Sequence, residues 1–231
     1  MKQPILSKSK AAVGDPLAEI YADKPSTYFD GTRLDIVGEL EVGNQSILEL
    51  GCGSGGTGSA ALAAGKAQRY VGIELDAKAA AVASERITEV LVGDVTNMDL
   101  GAFAGAFDVL IMSEVLEHLP DPWGTLQQLV ACLKPGGRVY ASSPNVAHRH
   151  VLMNLVRGSF DYAGDGVMDR THLRWFTPTS FRQMFEEAGV RVTSVGPVVR
   201  PGWKAQLIDR LTGGRIRHLF IVQIMVRGVR R

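Results

Sequence analysis

The chain has 231 residues, of which 45% are hydrophobic and 21% charged, and its 25 Lys and Arg side chains nearly balance 24 Asp and Glu. This composition excludes a disordered or collagen-like chain, and a net charge of +1 argues against a binder of duplex nucleic acid. Two cysteines exclude a disulfide scaffold, and the longest apolar run, 219–226, is too short for a membrane span. We therefore expect a cytoplasmic protein, and the clusters among its 26 glycines predict backbone that contacts a ligand.

From residue 46 onward, short β-type runs alternate with helical patterns. The strands are predicted at 46–50, 70–75, 90–92, 107–112 and 138–142. The helices between them are predicted at 60–66, 77–86 and 122–133. Strands separated by helices indicate parallel strands joined by right-handed crossovers.

The pattern changes after the fifth predicted strand. Residues 143–176 are rich in His, Arg, Asp and aromatic side chains and show no clear periodicity. A helix at 178–188, a strand at 190–199, a helix at 205–211 and a strand at 219–226 follow. We expect an α/β doubly wound sheet of seven strands, preceded by a helical arm or lid at 1–45 and carrying an insert at 143–176.

The segment ILELGCGSGG, residues 47–56, lies between the first strand and a helix, where glycines let the backbone turn and approach a ligand. Glu74 ends the second strand and can accept hydrogen bonds from a ribose diol, and Asp94 follows the third strand. Gly51, Gly53 and Gly56 also fit the dinucleotide pattern G-x-G-x-x-G, which is a weak signal by itself. However, Glu49 would repel a pyrophosphate and attract an ammonium group, which favours a zwitterionic nucleoside over NAD.

At these residues the chain resembles the class I S-adenosylmethionine-dependent methyltransferases. The matching segments are ILELGCGSG, YVGIELD, LVGDV, FDVLIMSEVLEHLPDP and LKPGGRVYASSPN, which together cover about residues 46–142. The resemblance implies a Rossmann-like sheet that is mostly parallel with one antiparallel late strand, and S-adenosylmethionine as cofactor. The cofactor-binding residues it implies are Glu49, Gly51, Cys52, Gly53, Gly55, Glu74, Leu75, Asp94, Val95 and Ser113.

Two further segments concern the methyl acceptor. The sequence SEVL at 113–116 is similar to small-molecule O-methyltransferases such as those of ubiquinone biosynthesis. DRTHLRWFT at 169–177 resembles a segment of methyltransferases of carbohydrate and cell-envelope biosynthesis. We therefore expect a small-molecule acceptor, with a hydroxyl of a sugar, a glycan-linked group or a related metabolite favoured, and we regard 143–176 as the acceptor side.

A hydroxyl acceptor often needs a general base. The candidates, in order, are His172, His148 and His118, and the candidate acceptor-binding residues are His150, Arg170 and Arg174. Each also has a structural interpretation. His118 would be a partly buried helix histidine, and His148 and His150 would lie in a solvated loop. The cluster around His172 would be an ion network that braces the late helix. No metal site is expected, because the histidines lack the i, i+4 spacing and flanking acid of a helical site.

Arginines crowd the last 17 residues, at positions 215, 217, 227, 230 and 231. They leave open an RNA or protein methyltransferase, although a solvated strand rim and tail is the simpler explanation. A non-catalytic S-adenosylmethionine-binding protein is a further alternative. The oligomeric state, monomer or dimer, is also open.

Overall fold

The computed structural model describes residues 29–231. Most of the predicted arm 1–45 therefore lies outside the described residues, and its role as a lid stays a prediction. Its last part contains helix α1, Leu34–Glu39, which buries Ile36 and Val37 against the sheet.

A seven-stranded sheet forms the centre of the molecule, and its spatial order is β3-β2-β1-β4-β5-β7-β6. The strands are β1 (Ser46–Leu50), β2 (Arg69–Glu74), β3 (Glu89–Val92), β4 (Phe107–Ser113), β5 (Leu133–Pro144), β6 (Val190–Pro197) and β7 (Gln223–Arg230). Neighbouring strands among β1 to β5 pair in parallel, whereas β7 pairs antiparallel with both β5 and β6. This confirms the predicted Rossmann-like sheet with one antiparallel late strand.

Helices cover both faces of the sheet. The remaining helices are α2 (Gly56–Ala63), α3 (Ala77–Ser84), α4 (Pro122–Ala131), α5 (Arg149–Val156), α6 (Pro178–Glu187) and α7 (Trp203–Leu211). One apolar cluster joins alternate strand residues to α4 and α6, and the other joins the intervening residues to α1, α2 and α3. Within residues 29–231, no helix is both long and apolar enough to cross a membrane.

The helix after the glycine loop begins at Gly56, four residues before its predicted start. Gly55 has φ of +81°, and this left-handed residue ends the loop so that the helix starts at once. Gly58 then lies inside the helix, where an added Cβ would come within 2.7 Å of the Tyr70 ring. The prediction was wrong here because glycines that serve close packing were interpreted as loop.

Other boundaries also differ from the prediction, most clearly those of β7 and β5. The last strand is β7 rather than 219–226, and a 3₁₀ turn at Arg217–Phe220 precedes it. The strand continues through Arg227 and Arg230 because the backbones of β5 and β6 form hydrogen-bonded ladders with it on both sides. Strand β5 begins at Leu133 rather than 138, since Leu133 pairs with Phe107 across a bulge.

The segment 143–176 contains helix α5. The sequence analysis did not predict this helix because the segment shows no clear periodicity. Only Val151 of this helix is buried, while Leu152, Met153, Leu155 and Val156 are exposed. An apolar pattern that faces solvent gives no helical stripe to detect.

Candidate active site

A cavity of about 370 Å³ lies at the carboxyl ends of β1, β2 and β4. This is where ligands bind in open parallel sheets. Most of the predicted cofactor residues line it, namely Glu49, Gly51, Cys52, Gly53, Glu74, Leu75, Asp94, Val95 and Ser113. Gly55 is not in the lining. It precedes α2, and a Cβ there would lie 3.1 Å from the Ala83 backbone, so Gly55 shapes the loop.

Glu74 is fixed at the end of β2 by two backbone amides. Its Oε2 accepts from Gly53 N at 2.8 Å and its Oε1 accepts from Asp76 N at 2.9 Å. Asp76 in turn caps α3 by accepting from Ala79 N at 2.7 Å. Burial raises the pKa of the Glu74 carboxyl group. A carboxylate oxygen has more than one acceptor direction, so each oxygen still has capacity for a hydroxyl donor.

Glu49 lies beneath the glycine loop and is 3% exposed. Its Oε2 accepts from the Tyr70 hydroxyl at 2.8 Å. Burial raises the pKa of Glu49 to about 7, although hydrogen bonds from Tyr70 and Thr57 act in the opposite direction. A cationic group in the cavity would favour the ionised form and lower this pKa.

Asp94 follows β3 and caps the 3₁₀ turn Val95–Asn97. Its carboxylate accepts from the backbone amide and hydroxyl of Thr96 at 2.9 and 2.6 Å and from the side-chain amide Nδ2 of Asn97 at 2.7 Å. These contacts orient Asp94 at the cavity wall. Its predicted contact with adenine stays a prediction.

Two charged residues of the cavity wall were not predicted from the sequence. Arg33 donates from Nη1 to Ser142 Oγ at 2.7 Å and also pairs with Asp35. Glu114 directly follows β4 and has φ of +53°, a strained value for a non-glycine residue. No sequence pattern marks an isolated arginine in the arm, whereas the position of Glu114 at a strand end was an available signal.

The structure brings His118 and His172 together, with ring centroids 4.7 Å apart. His118 ends a 3₁₀ turn, Leu116–His118, lines the cavity and is buried. His172 is also buried, but it is not among the residues that line the cavity. The fold therefore places His118, and not the first-ranked His172, directly at the cofactor cavity.

Backbone hydrogen bonds dock the segment 169–174 onto the turn that follows β4. The amides of Leu173 and Arg174 donate to the Glu117 carbonyl at 2.8 and 3.0 Å. The Arg174 guanidinium donates to the carbonyls of Pro120 and Leu173, which supports a structural role for this residue. Arg170 is exposed. Binding of the acceptor by Arg170 or Arg174 stays a prediction.

His148 and His150 lie at the start of α5, and their rings stack with centroids 5.2 Å apart. Neither residue lines the cavity, and His150 is exposed. Burial lowers the pKa of His148, and the charges of His150 and Arg149 lower it further. Their predicted roles at the acceptor also stay predictions.

Comparison with known proteins agrees with this geometry. A family model described as a methyltransferase domain matches residues 18–195. The chain is 31% identical over 218 residues to a ubiquinone biosynthesis O-methyltransferase of Azoarcus sp. (strain BH72), covering 86% of each chain.

Two solved structures share the fold. An S-adenosylmethionine-dependent methyltransferase from Mesorhizobium loti superposes with a TM-score of 0.60 at 18% identity, over 87% of this chain and 100% of that one. One from Archaeoglobus fulgidus has a TM-score of 0.61 at 16% identity, over 89% and 97%. The family match, the sheet and the cavity lead to one conclusion: the chain belongs to the methyltransferase domain family and is an S-adenosylmethionine-dependent enzyme.

Proposed function

We propose that the enzyme transfers the methyl group of S-adenosylmethionine to a hydroxyl group of a small-molecule acceptor. The observation that carries the proposal is the cavity at the strand ends, which combines the cofactor residues with His118 in one wall. The name of the Azoarcus relative, an O-methyltransferase, supports oxygen as the acceptor atom.

The residues of the cavity fit the cofactor. Glu74 offers two oriented oxygens to the ribose diol, and Glu49 offers a buried carboxylate to the ammonium group. Arg33 brings a positive charge to the same cavity, so we assign it to the cofactor's carboxylate. Ser113 Oγ is buried and has no hydrogen-bond partner among the described residues, which suits a polar ligand at the cavity floor.

S-adenosylmethionine supplies a methyl group already activated on a sulfonium, so the protein contributes mainly by positioning the two reactants. Among the described residues, His118 is the one histidine in the cavity lining. We therefore place the reacting hydroxyl against His118, with His172 behind it. This changes the order of the candidates, because the sequence ranked His172 first.

The comparison with known proteins also bears on the class of small molecule. The relative reported above is named for ubiquinone biosynthesis, not for a sugar. The sugar or glycan-linked acceptor favoured by residues 169–177 therefore stays a prediction.

The arginines near the C-terminus do not favour the RNA or protein alternative. Arg227 pairs with Glu39 of α1, and Arg217 pairs with Asp209 at 2.9 Å. Arg230 donates to the carbonyls of Ala131 and Leu133. The carboxylates and carbonyls of the fold engage these three guanidinium groups, which leaves less positive charge available for a polyanion.

Calorimetry with S-adenosylmethionine and S-adenosylhomocysteine tests the cofactor assignment. We expect saturable binding by the wild type and a large loss of affinity for Glu74→Ala. The control is Glu85→Ala, an exposed glutamate just after α3. Equal affinity for wild type and Glu74→Ala would contradict the assignment.

Transfer of a radiolabelled methyl group to panels of phenols, sugars and amines tests the acceptor. We expect labelled product from hydroxyl compounds. Sugar and phenol panels separate the two acceptor classes, and label on amines alone would contradict the proposal.

A further inference from the structure

A second cavity, of about 670 Å³, lies where the chain passes from β6 to β7. Helix α7, the residues just before it and the 3₁₀ turn before β7 form its wall. Pro144 at the end of β5 pairs with Gln223, and Pro197 at the end of β6 pairs with Ile224. The connection 198–222 therefore lies at the same edge of the sheet as the cofactor cavity.

The second cavity is basic. Arg200, Arg210 and Arg217 line it, and Asp209 is the one carboxylate among its lining residues. Arg217 donates from Nε to Asp209 Oδ2 at 2.9 Å. In contrast, Arg200 and Arg210 are exposed, and neither side chain has an ion-pair or hydrogen-bond partner among residues 29–231. The cavity thus keeps an excess of positive charge that the described part of the fold does not neutralise.

Asp209 supplies an independent observation. Its Oδ2 is engaged by Arg217, whereas its Oδ1 is buried without a hydrogen-bond partner among the described residues. A buried acceptor that lacks a partner is costly. Because Asp209 lines the cavity, a hydroxyl group of a ligand is a suitable donor to this oxygen.

Aromatic side chains complete the wall. Trp203 and Phe220 line the second cavity, and Trp203 is 69% exposed. No residue of α7 is buried, so this helix leaves its apolar side chains uncovered. The Arg149 guanidinium of α5 lies 5.6 Å from the centroid of the Phe220 ring, which places this wall against the acceptor side. An apolar wall with a few convergent polar groups is typical of a small-molecule site.

We propose that the second cavity binds the phosphate group of an organic phosphate that also carries a hydroxyl group. A phosphate monoester has up to two negative charges on three oxygens, which matches three guanidinium groups opposed by one carboxylate. Arginines that converge from different elements can each contact a different phosphate oxygen, whereas a carboxylate offers only two. A sugar phosphate and a lipid phosphate share this chemistry.

The proposed function makes this ligand the methyl acceptor. Ile221 lines the second cavity, and Gln223 donates from Nε2 at 3.2 Å to Oε2 of Glu114, which lines the cofactor cavity. Extended chain rises about 3.3 Å per residue, so the Cα atoms of Ile221 and Gln223 are about 7 Å apart. An elongated acceptor spans this distance, with its phosphate at the arginines and its reacting hydroxyl beside His118.

Calorimetry on the full chain tests the site without any methyl transfer. The probes are inorganic phosphate, glucose 1-phosphate and farnesyl phosphate, and glucose is the phosphate-free reference. We expect saturable binding of phosphate compounds and none of glucose, and the tighter of the two organic phosphates identifies the source. Arg200→Ala and Arg210→Ala should each weaken this binding about tenfold or more, because each removes a charge-assisted contact. The matched control is Arg191→Ala, an exposed arginine of β6 outside both cavities.

Transfer of a radiolabelled methyl group to pairs of hydroxyl compounds, with and without phosphate, tests the role of the acceptor. We expect a higher kcat/KM for the phosphorylated member of each pair. Arg210→Ala should raise KM for that member and leave kcat nearly unchanged, because Arg210 contacts the phosphate and not the reacting hydroxyl. Arg210→Lys should recover part of the loss, since it keeps the charge.

Calorimetry with S-adenosylmethionine shows whether each variant is folded, because neither Arg200 nor Arg210 lines the cofactor cavity. Absence of saturable binding of all three phosphate compounds at millimolar concentration overturns the proposal. Equal phosphate affinity in the wild type and the folded double variant Arg200→Ala/Arg210→Ala also overturns it. Binding of phosphatidylglycerol vesicles alone, lost in Trp203→Ala, overturns it as well and makes α7 a membrane-binding surface.

Two further outcomes separate this site from the proposed function. Phosphate binding with equal transfer to both members of each pair overturns the role of the acceptor phosphate alone. Phosphate binding without transfer to any hydroxyl compound contradicts the proposed function and leaves the phosphate site standing.

Discussion

At the scale of single residues, the buried carboxyl group of Glu49, which we propose binds the cofactor, also affects stability. Its pKa in the folded protein is about 7, above the ordinary value of 4.5, because burial disfavours the charged form. Below pH 4.5 the group is protonated in both the folded and unfolded states and imposes no penalty. Between pH 4.5 and about pH 7 the unfolded chain ionises Glu49 while the folded protein keeps the carboxyl group protonated. This difference favours the unfolded state, so the free energy of unfolding falls as the pH rises.

We therefore expect Glu49→Gln to remove part of the pH dependence of unfolding. The gap of about 2.5 pH units corresponds to roughly 3 kcal/mol, lost by the unliganded wild type between about pH 4.5 and pH 7. Denaturant unfolding of both proteins across this range measures it, and the difference between them isolates Glu49 from other titrating groups. Parallel stability curves for the two proteins would contradict the raised pKa.

Arg33 allows a second prediction at this scale. If its guanidinium binds the cofactor's carboxylate, Arg33→Ala loses a charge-assisted contact worth about 1.5–3 kcal/mol. The affinity for S-adenosylmethionine should then fall by roughly 10- to 100-fold, as measured by calorimetry. Arg33→Lys should lose less, because it keeps the charge. Arg182→Ala, which removes an exposed arginine of α6 paired with Glu186, is the control. Unchanged affinity in Arg33→Ala would remove this residue from the cofactor site.

At the scale of elements, the sequence predicts best what local signals determine. Strand β1 begins and ends as predicted, and α4 and α6 begin as predicted because Asp121 and Thr177 cap them. The limits of β7 and the presence of α5 depend on partners far away in the chain, so periodicity missed them.

The same distinction holds for the candidate site. The cofactor half follows consecutive strand ends, and its glycines and carboxylates are visible in short segments. The acceptor half depends on His118 meeting His172, which requires the segment 169–174 to dock on the turn after β4. No local spacing contains that contact. The position of Arg33 beside Ser142 is non-local in the same way.

Helix α2 provides a prediction for an element. An added Cβ at Gly58 would lie 2.7 Å from the Tyr70 ring, and Tyr70 holds Glu49 through its hydroxyl. We expect Gly58→Ala to destabilise the protein by about 1–3 kcal/mol through overpacking and to weaken S-adenosylmethionine binding. Thermal unfolding and calorimetry measure the two effects.

The matched control is Gly38→Ala in α1, where an added Cβ meets no atom within 4 Å. This substitution should stabilise by up to about 1 kcal/mol, because alanine loses less backbone entropy than glycine in a helix. Stabilisation by both substitutions would show that Gly58 is not a close-packing position.

At the scale of the whole molecule, the last strand of the chain lies inside the sheet. β7 separates β6 from β5, and Ile224, Met225 and Val226 are completely buried. In addition, Arg227 pairs with Glu39, which joins the final strand to the first described helix. Exposed pairs of this kind contribute at most about 1 kcal/mol, so the strand's role rests on its ladders and apolar side chains.

Removal of residues 223–231 should therefore cost far more than the loss of a terminal tail. β6 would lose the partner that connects it to the sheet, and the apolar cluster shared with α6 would be exposed. We expect the chain ending at Val222 to lack a cooperative thermal transition and to lose S-adenosylmethionine binding, as circular dichroism and calorimetry would show. A chain that lacks only Arg231 should unfold like the wild type. A cooperative transition of the truncated chain at the wild-type temperature would mean that β1 to β5 with their helices are a sufficient folding unit, and that β6 and β7 are an addition to it.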